Sequence, residues 1–439
     1  MKIAVIGAGL GGLSAAWLLA RQHEVILFER LAEPGFTAHS IVWPGDDGTD
    51  ADPQRIDVPL RVFYPGYYPT LTRLYDTLGV RSEAVSYAAS FDDGAALYFR
   101  YRNLRLGSHS YSLMAPQDLL LGASARRIAA SLLRFHREAP AALARGELAG
   151  SSIGQYLSLQ RYHADFVQGF VLPAVCTVCT CTYAQAREFP AAVIVDYVAR
   201  GLARDSVRRA CGGADAVLQR LLAGIPTLHH RTPVEAVWRD ADTAWLRPAG
   251  GTPQRFDHIV LAAQANQSRH LLPAASAEET AMLEGFHYTP VEVVTHRDAS
   301  FMPPRRRDWS PVNLRVVSAQ DAPQSTIWVN AVMPARRGRA DVFQTVHPHR
   351  PPAPQHLIAR ARFERPVVNL RSQQALRELQ TLHDEAGRRL WFCGAYAQAG
   401  IPLLESAVHS AFEVASRLGA PTSAAPLTAS PPRTSRVAG

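Results

Sequence analysis

The first thirty residues leave this chain little freedom. Ile3-Ala4-Val5-Ile6 is a β-branched run that reads as a buried parallel strand, and the apolar stretch over residues 10–20 reads as the helix that follows it. Between them lies Gly7-Ala8-Gly9-Leu10-Gly11-Gly12. Gly7 permits the tight turn, Gly9 lets backbone approach a pyrophosphate, and Gly12 lets helix and strand pack closely. The helix start then offers free N–H groups and the positive end of its dipole, with Leu10 and Gly11 in the first turn. Val25-Ile26-Leu27-Phe28 reads as a second strand, ended by Glu29, which lies 22 residues after Gly7. A carboxylate there accepts the hydroxyls of an adenosine ribose and repels a 2′-phosphate, so NADP is disfavoured. The motif predicts a bound adenine dinucleotide; its bland alternative is glycines that only allow close packing. It does not separate NAD from FAD.

A chain of 439 residues suits two intertwined domains with a substantial core. No run approaches the roughly 18 apolar residues of a membrane span, and the N-terminus enters a strand without a secretion signal, so a cytoplasmic protein is expected. The net charge of +8 comes from arginine, because Lys2 is the only lysine. The arginines are scattered among acidic residues, which argues against a nucleic-acid footprint. Five cysteines, an odd number, suit a reducing compartment better than a disulfide scaffold.

Along the chain, the acidic segment over 44–52 lacks the ligand and glycine positions of a calcium loop and reads as a polar loop. Leu71, Leu74, Tyr75 and Leu78 recur at helical spacing, and Gly79 ends that helix. Residues 117–150 read as a basic amphipathic helix that covers a domain or, alternatively, lies on a membrane. Gly212-Gly213 opens a helix through Leu222; residues 232–238 alternate as a strand, and 256–263 read as one buried strand returning to the first sheet. Residues 272–384 mix strands and proline-rich turns, as in a separate substrate-binding sheet. Near the end, Leu390-Trp391-Phe392-Cys393-Gly394-Ala395-Tyr396 reads as a strand and turn, followed by a helix beginning near Glu405 that aims its N-terminus into the crevice. The expected fold is α/β: a Rossmann-like domain (1–85, 205–270, 385–419) interleaved with an α+β substrate domain (86–204, 271–384), then a disordered tail over 420–439.

The opening fingerprint and the closing strand-turn-helix together resemble the flavin amine oxidase and phytoene desaturase superfamily of FAD-dependent oxidoreductases. The likeness is carried further by Ile56-Asp57-Val58-Pro59-Leu60-Arg61-Val62-Phe63-Tyr64, Tyr68-Pro69-Thr70-Leu71, Leu78-Gly79-Val80, Cys179-Thr180-Cys181-Thr182-Tyr183, Ala262-Ala263-Gln264-Ala265-Asn266 and Phe301-Met302-Pro303, in family order. The nearest likeness is to an amine-oxidase-like bacterial and fungal branch, some of whose members act on lipids. The resemblance implies that Gly7, Gly9, Gly12 and Glu29 hold the ADP half of noncovalent FAD and that Val234 bonds the adenine through its backbone. It also implies that Gly394 and Ala395 approach the ribityl or pyrophosphate, and that the helix at Leu404 and Glu405 faces the flavin N1/O2 edge. Two departures stand out. Where relatives carry Gly-Gly-Arg or Gly-Gly-His, this chain has Gly35-Phe36-Thr37-Ala38-His39-Ser40, so Arg30, His39 or Ser40 would take over pyrophosphate contacts. Where many amine oxidases hold a water near flavin N5 with a lysine, this chain has none to offer.

Candidates for chemistry are Arg61, Tyr64 and Tyr396. Arg61 is read either as binding a substrate carboxylate or polarising the flavin, or as paired with Asp57. Tyr64, Tyr67 and Tyr68 line a cavity mouth or form a packed turn. Cys176, Cys179 and Cys181 lack a fourth ligand for a metal and read as buried side chains. His296 and Asp298, alternating on one strand, are read as a surface pair or, alternatively, as sharing one face of the substrate domain and supplying a base, and Arg305-Arg306-Arg307 as solvated loop, with an acidic carrier protein or a phosphate-bearing substrate as its alternative partner. Ile401, Pro402, Leu403 and Leu404 imply an apolar substrate face. The expected reaction removes hydride and a proton from a lipophilic or specialised metabolite to form C=C or C=N. A flavin-dependent double-bond isomerase without net oxidation is the second reading, and a non-catalytic flavoprotein the third.

Overall fold

The computed structural model describes residues 1–43, 54–106, 109–202 and 206–422. The acidic segment over 44–52 and nearly all of the expected tail lie outside them. Strand β1 (Lys2–Ile6), helix α1 (Leu10–Leu19) and strand β2 (Glu24–Phe28) form the opening unit. β1 pairs in parallel with β2 on one side and with strand His258–Leu261 on the other; Thr227–His229 and Leu390–Phe392 extend the sheet to five parallel strands. Side chains alternate across a strand, so Ile3 and Val5 join the core beneath α1, while Ala4 and Ile6 join a second cluster with Phe256, Leu283 and Leu379. A sheet covered on both faces explains why its strands read as continuous apolar runs.

The expected single strand over 256–263 is two. Gln254–Phe256 closes a three-stranded antiparallel sheet with Val234–Arg239 and Ala244–Pro248, and His258–Leu261 enters the parallel sheet. Asp257 makes the break: its N–H donates to Lys2 O (2.8 Å) and its carboxylate accepts the Lys2 N–H (2.7 Å). The helix expected over 117–150 is shorter, a 3₁₀ turn Pro116–Leu121 followed by helix Ala123–Ala144. Helix α2 (Pro69–Leu78) ends at Gly79 in the left-handed region (φ 66°).

An eight-stranded sheet draws strands from two stretches of sequence. Its order runs from edge strand Leu357–Pro366 through Tyr288–His296, Phe343–Val346, Gln324–Trp328 and Val312–Arg315 to Ala89–Asp92, Leu97–Leu106 and His109–Leu113. The one parallel pairing, Val312–Arg315 on Ala89–Asp92, joins the two stretches. Among the described residues no helix is long and apolar enough to cross a membrane.

Candidate cofactor and substrate site

The three glycines of the opening turn face three different surroundings. Gly7 holds φ 103°, and a Cβ there would lie 2.9 Å from Ala262 O. At Gly12 a Cβ would sit 1.9 Å from Gly7 O, so helix and strand touch only because it is absent. At Gly9 a Cβ would meet nothing within 4 Å: this residue borders open space. No side chain caps α1, whose first N–H groups therefore face that space. Glu29 is buried at the lip, its Oε2 accepting Ala8 N–H (2.8 Å) and its Oε1 accepting Leu31 N–H (2.9 Å). An ionised carboxylate has about four acceptor sites, so capacity for ribose hydroxyls is left. Thr232 N–H donates to Glu29 O (2.8 Å), which brings the start of strand Val234–Arg239 and its Val234 alongside. Gly35 follows the lip, where a Cβ would lie 3.6 Å from Glu29 Oε2 and 3.8 Å from Gly9 N.

Of the residues offered for the pyrophosphate, Arg30 is exposed, His39 stands edge-on to Phe363 (4.7 Å), and Ser40 keeps a buried Oγ without a partner. Burial, and then the nearby Arg61, pull the His39 imidazole below its usual pKa, which keeps it neutral at pH 7.

The closing motif lies against the opening one. A Cβ on Gly11 would be 3.3 Å from both Gly394 Cα and Ala407 O. Gly394, at φ 142°, donates its N–H to Ser410 Oγ (3.0 Å), and Ala395 begins a short 3₁₀ turn. The C-terminal helix Leu404–Arg417 starts without a side-chain cap of its own. Glu405, in its first turn, points the other way: its carboxylate accepts the N–H groups of Thr70 (3.0 Å) and Leu71 (2.9 Å) and so caps α2. The Glu405 side chain is taken up by α2, so what the helix start at Leu404 and Glu405 offers a ligand is its backbone. Tyr67 Oη accepts Ile401 N–H (2.9 Å) and fixes the apolar loop before the helix. Tyr396 packs beside Gly394 and against Phe286 (5.0 Å), in a hydrophobic cluster other than that of Tyr64.

The structure also decides between the readings of Asp57. Both its oxygens accept Ala214 N–H (3.1 Å each), capping helix Gly213–Leu222, and Gly213 has no Cβ because one would lie 2.7 Å from Asp57 Oδ2. No ion pair joins Asp57 to Arg61 among the described residues. Arg61 instead stacks on Phe36 (4.5 Å), donates Nη2–H to Phe36 O (2.6 Å) and keeps Nη1 buried without a partner. Tyr64 donates to Tyr197 O (2.5 Å) inside a cluster with Tyr67 and Tyr68.

The remaining candidates are structural. Cys176 and Cys181 are buried free thiols and Cys179 a partly buried one; among the described residues no group of His, Cys, Asp and Glu could hold a metal. His296 and Asp298 are not a surface pair: both are buried, with His296 Nε2 against Thr345 Oγ1 (2.8 Å) and Nδ1 accepting Asp298 N–H (3.1 Å). Arg306 in the exposed arginine loop pairs with Asp341 (2.7 Å). Lys2 rests over Phe256 (5.2 Å) at the end of β1 away from the glycine turn.

Residues 5–78 match the family model described as an NAD(P)-binding Rossmann-like domain. Among solved structures the chain is similar to a putrescine oxidase bound to putrescine (15% identity, 96% of this chain and 100% of that one, TM-score 0.67). It is also similar to the cyclohexylamine oxidase of Brevibacterium oxydans IH-35A (16% identity, 95% and 99%, TM-score 0.64). The chain has the fold of the amine-oxidase-like oxidoreductases. A CLA-producing fatty acid isomerase from P. acnes shares it (14% identity, 94% and 98%, TM-score 0.63). The search of curated proteins found no match. The resemblance read from the sequence holds at the level of the fold.

Proposed function

We propose that this chain is an FAD-dependent oxidoreductase that takes hydride and a proton from a lipophilic or specialised small molecule, forming C=C or C=N, with its FAD bound noncovalently. The closeness of Gly11 to Gly394, where a Cβ on Gly11 would lie 3.3 Å from Gly394 Cα, supports the reading, because the two motifs expected to hold one cofactor are then neighbours. The open face of Gly9, the uncapped start of α1, the spare capacity of Glu29 and the orphaned Ser40 Oγ fit an extended adenine dinucleotide. Bound there, the flavin supplies the hydride acceptor. The chain's own part is to exclude water with Ile401, Leu403 and Leu404 and to position the substrate. Cys393 is fully buried, its thiol pKa pushed up to about 12 by burial, which favours a noncovalent cofactor.

The isomerase reading is supported by the fold shared with the fatty acid isomerase. Purified protein is expected to be yellow and to release all its flavin on acid precipitation. Mixed anaerobically with the small molecule that copurifies, lasting bleaching marks oxidation, and product without lasting bleaching marks isomerisation. Protein that stays colourless after incubation with FAD would overturn the proposal.

A further inference from the structure

The loop that leads into the C-terminal helix is fixed by residues outside it. Gly400-Ile401-Pro402-Leu403 closes a tight turn through Leu403 N–H to Ile401 O (2.7 Å), and Pro402 has no N–H to give. Tyr67 Oη accepts Ile401 N–H (2.9 Å), a bond that spans 334 positions of sequence, and Ser406 Oγ donates to Ile401 O (2.8 Å). Gly400 is at φ 106°, and a Cβ there would lie 2.6 Å from Tyr67 Oη, so the hydroxyl fills the place a side chain would take. Tyr67 is itself held. Its ring lies edge-on to Tyr197 (4.7 Å, 75°) and to Tyr68 (5.4 Å, 74°), and all three residues are buried. A hydroxyl on so confined a ring transmits its place to Ile401, and through Ile401 to the start of the helix.

That helix start adjoins the opening one. Leu404–Arg417 begins without a side-chain cap, as does α1, and a Cβ on Gly11 in the first turn of α1 would lie 3.3 Å from Ala407 O. Free N–H groups and the positive end of a helix dipole favour negative charge, and the effect fades beyond the first turn, so a small displacement of Leu403 and Leu404 changes how strongly it is felt. Two-electron reduction places negative charge on a flavin, which such a helix start stabilises. We propose that Tyr67 is a positioning residue for the cofactor: by holding Ile401 it fixes the start of the C-terminal helix at the crevice and so raises the electron affinity of a flavin bound there. This rests on the FAD site proposed above.

Spectroelectrochemistry of the FAD-loaded full chain at pH 7.5, beside Tyr67→Phe and Ser406→Ala, tests it. All three proteins are poised at one potential, the midpoint of the unaltered chain, with the reduced fraction read from the visible flavin band and urea midpoints recorded alongside. Tyr67→Phe keeps the ring and its packing, and removes the acceptor of Ile401 N–H. Each substitution is expected to lower the ratio of reduced to oxidised flavin at least threefold, about what a helix terminus is worth to a nearby charge. An unchanged or raised ratio in Tyr67→Phe overturns the proposal, and a lowered urea midpoint beside an unchanged ratio shows the bond to be structural alone. If Tyr67→Phe fails to fold or loses its flavin, the same ratio in Ser406→Ala decides. An unaltered chain that stays colourless after incubation with FAD removes the cofactor reading and this inference together, whereas a yellow parent with unmoved variants removes only this inference.

Discussion

Gly9 and Gly12 stand three residues apart and answer to opposite constraints. Gly12 is required by packing: an added methyl would overlap Gly7 O at 1.9 Å, and backbone on both sides cannot give way. Gly12→Ala is expected to destabilise the chain by about 3 kcal/mol or more, seen as a lowered urea midpoint. Gly9 has an extended backbone (φ −71°) and open space before it, so Gly9→Ala should leave the urea midpoint nearly unchanged and instead lower FAD retention after gel filtration. Equal loss of stability in both variants would refute this division of roles. The motif was legible in the sequence because each glycine sits at a fixed offset from strand and helix.

At the scale of elements, two carboxylates each hold a helix start brought to them from far along the chain. Glu405 caps α2, and Asp57 caps helix Gly213–Leu222. Both are buried, so removing either leaves N–H donors unsatisfied. Glu405→Ala and Asp57→Ala are each expected to cost about 1–2 kcal/mol in thermal or urea unfolding. Wild-type stability in Glu405→Ala would mean that the cap carries nothing. The sequence placed a helix start near Glu405, as found, but gave no sign that its side chain caps α2, because a first-turn acid reads alike whether it faces a ligand or another helix. The split at Asp257 was hidden for a related reason: an apolar run records burial, not which of two sheets buries it.

For the molecule as a whole, two neutral imidazoles link stability to pH. His296 lies within the eight-stranded sheet, where burial lowers its pKa from 6.5 to about 4. His383 lies behind the parallel sheet, its Nε2 accepting Phe392 N–H (3.0 Å), and burial lowers its pKa to about 3. Below 6.5 the unfolded chain takes up protons that the folded chain refuses, so stability is fully present above that pH and falls as the medium is acidified toward 4. Each group is worth on the order of 3 kcal/mol by the bottom of that range. Urea midpoints are expected to be flat from pH 8 to 6.5 and to decline steadily to pH 4.5; a flat profile throughout would contradict the buried, neutral assignment.

What the sequence by itself determined is local: the strand, glycine turn, helix and acid of the opening unit, the matching strand and helix near the end, and the absence of a usable lysine. Each follows from residues within a few positions of one another, where backbone conformation and short-range geometry decide the outcome. The tertiary structure alone decided which distant residues meet. It set Gly11 against Gly394, turned Glu405 and Asp57 into caps, and buried His296. Those pairings depend on strand register and on how the two sheets pack, quantities fixed by the summed burial of the whole core and not by any segment's own pattern.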